Sequence, residues 1–159
     1  SDMKTTNAMR LLAKAGIKFD TVEYEVDEND LSAVHASLSS GVPAEKMFKT
    51  LVLHGARTGH FVCLIPAAEE ADLKKAAAAM HDKKAEMITV RELLPLTGYI
   101  RGGCSPIGMK KRFPTLIHSS ALMFDTIGVS AGVRGGTLML SPNDLISYTG
   151  AIVCDLISE

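Results

Sequence analysis

The run Met47-Phe48-Lys49-Thr50-Leu51-Val52-Leu53 and, across a turn at residues 55–59, the run His60-Phe61-Val62-Cys63-Leu64-Ile65-Pro66 decide the fold. Each is apolar and too short for an ordinary helix, and Gly55 and Gly59 flank the connection, so the pair reads as a β-hairpin. Working outward, alternation and β-branched residues predict strands at 18–26, 83–88, 114–118, 125–130, 137–140 and 151–157. Helical spacing and end signals predict helices over 5–15, 31–40, 72–80, from Thr89 to Gly98, and from Ser141 to Gly150. Thr89 and Glu92 form a capping-box pair, Pro142 stands at the start of the last helix, and Gly16, Gly41, Gly98 and Gly150 supply the stops. The order is not a regular strand–helix alternation, and several strands are joined by short turns. That pattern favours an α+β fold, a mixed and largely antiparallel sheet with helices around it, over a doubly wound parallel sheet.

At 159 residues the chain has length for one complete core and not for two ordinary domains. With no repeat, low-complexity segment or linker, residues 3–159 are expected to form a single domain. Ser1 and Asp2 are expected to be a cloning remnant ahead of a native Met3. Hydrophobic residues make up 47% and charged residues 22%, the balance of a globular protein and not of a disordered one. No apolar run reaches the ~18 residues of a membrane helix. Three cysteines, Cys63, Cys104 and Cys154, lack CxxC spacing, which argues against a disulfide framework or a zinc cage and leads to the expectation of a cytoplasmic protein. A net charge of −1 excludes strong indiscriminate binding to nucleic acid, and 5% aromatics without Trp exclude a broad base-stacking platform. Any nucleic-acid contact must come from a local patch.

Lys49 is the most informative residue. It alternates with Met47, Leu51 and Leu53, while Phe48 and Val52 occupy the other face, so its ammonium is either desolvated toward a cleft and an anion or carried to water on its stem. The loop Gly102-Gly103-Cys104-Ser105-Pro106-Ile107-Gly108 reads either as a backbone nest for an anion or as a plain turn. It lacks the Lys-Ser/Thr ending of a triphosphate loop and the spacing of a dinucleotide fingerprint. Val129-Ser130-Ala131-Gly132-Val133-Arg134-Gly135-Gly136 presents Arg134 either to phosphate or to solvent. Lys83-Lys84 and Lys110-Lys111-Arg112 are basic clusters, each a polyanion contact or a solvated face. Cys104 among glycines suggests a thiol nucleophile, yet no histidine is placed beside it by sequence. The histidines have no ligand spacing, so no metal or other cofactor is expected.

Read together, Phe48-Lys49-Thr50-Leu51, Asp72-Leu73-Lys74-Lys75, Lys83-Lys84-Ala85-Glu86-Met87, Thr97-Gly98-Tyr99, the 102–108 loop with Lys110-Lys111-Arg112, and the stretch from Val129-Ser130 to Gly135 resemble the YbaK family of Cys-tRNA(Pro) deacylases. The resemblance runs in order from Ala8 to the carboxyl end. It implies a barrel-like curled mixed sheet, and editing in trans of tRNA(Pro) that prolyl-tRNA synthetase has charged with cysteine. A related branch removes alanine from the same tRNA, and the basic run after the loop is more like the cysteine branch.

By resemblance, the family's essential lysine falls on Lys49 and its key loop glycine on Gly102. Thr50, Gly103, Ser105, Ser130 and Arg134 match cleft positions, Tyr24 matches a cleft tyrosine, and Lys110, Lys111 and Arg112 are candidates for tRNA contact. Cys104 stands where the family has an aliphatic residue, and Ser32 where relatives carry an aromatic one. The expected mechanism has Lys49 on a phosphate or ribose oxygen and the Gly102 and Gly103 N–H groups facing the oxyanion. The substrate's own thiol attacks the ester, giving a thiolactone. Cys-tRNA(Cys) is a further candidate substrate and prolyl-tRNA synthetase a candidate partner, with a monomer favoured. The rival readings are an Ala-tRNA(Pro) deacylase, a noncatalytic module for the tRNA acceptor end, and a Cys104-dependent hydrolase.

Overall fold

In the computed structural model residues 3–159 are described; the expected cloning remnant Ser1-Asp2 lies outside the described residues. The strands are β1 (Asp20–Glu23), β2 (Phe48–Gly55), β3 (Gly59–Pro66), β4 (Ala85–Met87), β5 (Thr115–His118), β6 (Ile127–Ser130), β7 (Gly136–Leu140) and β8 (Ile152–Cys154). The α-helices are α1 (Asn7–Lys14), α2 (Ala33–Ser40), α3 (Leu73–Ala79), α4 (Val90–Thr97) and α5 (Pro142–Thr149). Side-chain oxygens of Thr6, Ser32, Asp72 and Ser141 accept the exposed amides that open α1, α2, α3 and α5. Gly41, Gly98 and Gly150 end α2, α4 and α5 in the left-handed conformation.

The hairpin has the register its turn dictates, with Gly55 opposite Gly59 and Lys49 opposite Ile65. It is the centre of a five-stranded sheet in the order β4-β2-β3-β5-β8, in which β3 runs antiparallel to β2 and parallel to β5. A second sheet, β1-β7-β6, is wholly antiparallel. The two meet at a parallel bridge between Met47 and Gly128, where Gly128 N–H donates to Lys46 O at 2.8 Å. The fold is therefore α+β with a mixed, mainly antiparallel pairing, but the curl stops short of a closed barrel.

Alternation along β3 explains the layering. Val62 and Leu64 point toward α1 and the smaller sheet and join Leu12, Phe48, Val52, Ile127, Val129 and Leu138 in the main core. Phe61, Cys63 and Ile65 point the other way, onto Ala76 and Ala77 of α3 and onto Leu156. Both faces of the large sheet are thus covered, which is why its strands read as continuous apolar runs.

Three local expectations shift. The strand expected at 18–26 narrows to Asp20–Glu23, because the chain turns back at an Asp27–Asp30 bridge once Tyr24 N–H has bonded Gly135 O. The last strand narrows to Ile152–Cys154, since Leu156 N–H donates to the His118 ring and Ile157 pairs with Ala71. A 3₁₀ turn at Ser119–Met123 was not anticipated.

Candidate active site

A cleft of about 470 Å³ opens where the two sheets meet. Met47 and the start of β2 as far as Leu51 line it, β6 and β7 supply Ser130 and Thr137, and Tyr24 lines it too. The lining is completed by the first residues of α2, by Arg101, Gly102 and Cys104, and by Ala67 to Glu70, which leave β3.

Lys49 is half-buried in this cleft and makes no ion pair among the described residues. Burial pulls its pKa below 10.5, against the pull of Glu70 and Glu69, which favour the charged form. A desolvated ammonium without a protein counter-ion is a place for an anion or a polarised oxygen. Beside it the Thr50 hydroxyl oxygen is buried and has no hydrogen-bond partner among the described residues.

Gly102 faces the cleft at φ +87, a conformation that side chains resist, and a Cβ there would also press on Leu31 and Arg134 at 3.3 and 3.4 Å. At Gly103 a Cβ would meet the backbone of Val133 and Arg134 at 3.1 Å, so glycine lets two chain segments touch. The two loop amides differ in availability. Gly103 N–H donates to Ile100 O at 2.9 Å, whereas Gly102 N–H has no backbone acceptor among the described residues. Cys104 lines the cleft as a protonated thiol, its pKa pushed up to about 12 by burial despite a hydrogen bond with the Thr97 side chain. Ser130 lines the cleft too, its hydroxyl accepting from Gly132 N–H at 3.1 Å.

Lys49, Thr50, Gly102, Ser130 and Tyr24, with Cys104 and Ser32, are thus brought to one cavity; Gly103, Ser105, Arg134, Lys110, Lys111 and Arg112 are not part of its lining. Ser105 is fully buried and accepts from Ile107 N–H at 3.3 Å, holding the turn around Pro106. Arg134 donates to Arg101 O at 2.9 Å and pairs with Glu28 at 3.0 Å, so its fork staples the loop at the margin of the cleft. Lys110 packs its stem beside Gly98. Lys111 and Arg112 line a separate cavity of about 190 Å³ with Leu11 and Tyr148, where Arg112 donates to Tyr148 O at 2.8 Å. The basic run therefore lies behind the loop and away from Lys49.

Arg101, Glu69 and Glu70 line the cleft without having been singled out. A partial signal for the two acids existed: the hairpin register sets Pro66 opposite Phe48 and Ala67 beside Met47, so the chain leaves β3 at the end of β2 that carries Lys49. Ser32, set apart in the sequence as a departure, caps α2 through His35 N–H and lines the same cleft.

The family model of the aminoacyl-tRNA editing domain matches residues 27–148, a span that contains Lys49, the 102–108 loop and Ser130. The chain belongs to this family. A protein of Enterococcus faecalis named "Putative Cys-tRNA(Pro)/Cys-tRNA(Cys) deacylase EbsC" is 42% identical to this editing domain over 154 residues, covering 97% of the chain and 94% of the relative. "Uncharacterized protein YwhH" of Bacillus subtilis is 28% identical and covers 82% of the chain and 81% of the relative. Among solved structures, one described as "a putative trans-editing enzyme for prolyl tRNA synthetase" superposes with a TM-score of 0.83 at 24% identity, covering 99% of this chain and all of the other. That likeness concerns the fold. No helix among the described residues is long and apolar enough to cross a membrane.

Proposed function

We propose that this editing domain works in trans in the cytoplasm as a deacylase of tRNA(Pro) mischarged with cysteine, with Cys-tRNA(Cys) a further substrate. The observation that carries the reading is Lys49: a half-buried ammonium on an apolar strand, without an ion pair among the described residues, on the same cleft as Gly102, whose N–H has no backbone acceptor among them. The named activity of the 42% identical relative supports the choice of cysteine.

The aminoacyl ester is already activated, so catalysis rests on positioning and charge stabilisation. In the proposed step the substrate's sulfur attacks its own carbonyl carbon and the bond from that carbon to the ribose oxygen breaks. The thiol proton passes to the ribose oxygen, and the products are a cyclic thiolactone and uncharged tRNA. Lys49 holds a ribose or phosphate oxygen, and Gly102 N–H faces the oxyanion. The Gly103 amide, committed to Ile100 O, shapes the turn instead. Cys104, protonated by its surroundings, takes no part. With a net charge of −1 the chain has modest affinity for tRNA, and prolyl-tRNA synthetase is the proposed partner of a monomeric enzyme.

The deciding experiment offers Cys-tRNA(Pro), Ala-tRNA(Pro) and Ser-tRNA(Pro) to the purified protein and identifies the released product. Rapid loss of cysteine as thiolactone, with alanine and serine retained, is the expected result. Preferential release of alanine would assign the chain to the other branch, and binding without any release would make it an acceptor-end carrier.

A further inference from the structure

The cleft is not uniformly cationic. Glu69 and Glu70 line it together with Lys49, yet neither forms an ion pair among the described residues. Both are near enough to act on the Lys49 ammonium, and Glu69, the half-buried one, also acts on His118. Their backbone is anchored. Glu69 N–H donates to Pro66 O at 3.0 Å, Glu70 O accepts from Ser158 N–H at 3.4 Å, and Ala71 pairs with Ile157.

Two carboxylates repel phosphate, so on their backbone anchors they suit the part of the ligand that offers hydrogen-bond donors, and a cation most of all. The substrate of an editing domain carries a cation next to the reacting carbon, the α-ammonium of the esterified amino acid. We infer that Glu69 and Glu70 form the subsite for that α-ammonium. Lys49 then takes the nucleotide side and the acids take the amino-acid side, so the cleft matches a substrate whose charges alternate. The arrangement separates substrate from product: uncharged tRNA has no ammonium to offer and is released. It also disfavours an aminoacyl group whose nitrogen is acylated or missing.

This inference rests on the proposed function, and its test is separable from it. Two amide-linked probes that cannot be deacylated are compared by calorimetry: 3′-deoxy-3′-(cysteinylamino)adenosine and its 3-mercaptopropionyl counterpart, which lacks only the amine. The wild-type protein is expected to bind the amine-bearing probe about fivefold more tightly, the scale of a partly exposed charge contact. In E69Q/E70Q the two probes bind alike, and affinity for the mercaptopropionyl probe stays at its wild-type value. Equal binding of the probes by wild type, or a preference that survives in E69Q/E70Q, overturns the subsite. Failure of wild type to deacylate Cys-tRNA(Pro) while the amine preference holds would remove the functional reading and leave the ammonium subsite in place.

Discussion

Replacing Lys49 by Met keeps the length and apolar bulk of the side chain and removes the charge. The folded pKa lies below 10.5, so the unfolded chain holds the proton more firmly than the native one. The charged lysine thus opposes folding in full below its folded pKa, and the opposition fades as the pH climbs through that value toward 10.5. With no ion pair to lose among the described residues, Lys49→Met is expected to melt at or above the wild-type temperature at pH 7. Activity moves the other way. A hydrogen bond to a charged group contributes ~1.5–3 kcal/mol, or about 10- to 150-fold in rate, and the half-buried setting places the loss near the upper figure. Single-turnover release of radiolabelled cysteine from Cys-tRNA(Pro), run beside a thermal melt, reads both quantities. Release within about threefold of wild type would refute the role, being well under the effect of one charged hydrogen bond. A melt lowered by more than about 4 °C would recast Lys49 as structural.

Cys104→Ser is expected to retain wild-type turnover, and iodoacetamide should label Cys104 slowly at pH 8, because a thiol pushed up to about 12 is protonated there; loss of turnover would revive the thiol nucleophile. Ala in place of Lys110, Lys111 and Arg112 together should raise KM for full-length tRNA and flatten its salt dependence while leaving a cysteinyl-adenosine substrate unaffected, since these side chains lie off the cleft. Asp82 accepts from Arg57 N–H and Thr58 N–H at 2.9 Å and from Lys83 N–H at 2.7 Å, which holds its carboxyl below the usual range. That stabilisation is present above pH 3.8 and is lost as the pH falls through the folded value, so Asp82→Asn should melt below wild type at pH 7 with the gap closing in acid. Hydrogen exchange at the Arg57 and Thr58 amides should quicken in the same variant.

What could be read from the chain was what its local chemistry decides. The Thr89–Glu92 capping box, the left-handed glycines at 41, 98 and 150, and the Gly55–Gly59 turn each act within a few residues, and each delivers its element. Lys49 stood out because a charge in an apolar strand has few uses. The parallel pairing of β3 with β5 had no such signal, for it joins Val62 to Thr115 across about a third of the chain. The same distance hid the fate of the arginines: Glu28 captures Arg134, and the carbonyl of Tyr148 captures Arg112. Ser105 shows the opposite failure. Its hydroxyl is satisfied two residues away and sealed in the core, so a motif position that reads as reactive is a fastener.

The Lys49 strand belongs to one sheet, the Ser130 and Thr137 strands to the other, and Met47–Gly128 is the bridge that ties β2 to β6. A methyl group at Gly128 would strike the Met47 and Met139 sulfurs and the Thr137 side chain at 3.1–3.2 Å. The aperture of the pocket is therefore governed by a joint whose glycine lies outside the lining. A small wedge at that joint would shift the strand that carries Lys49 against the strands that carry Ser130 and Thr137, and selectivity would drift while every lining residue stayed the same.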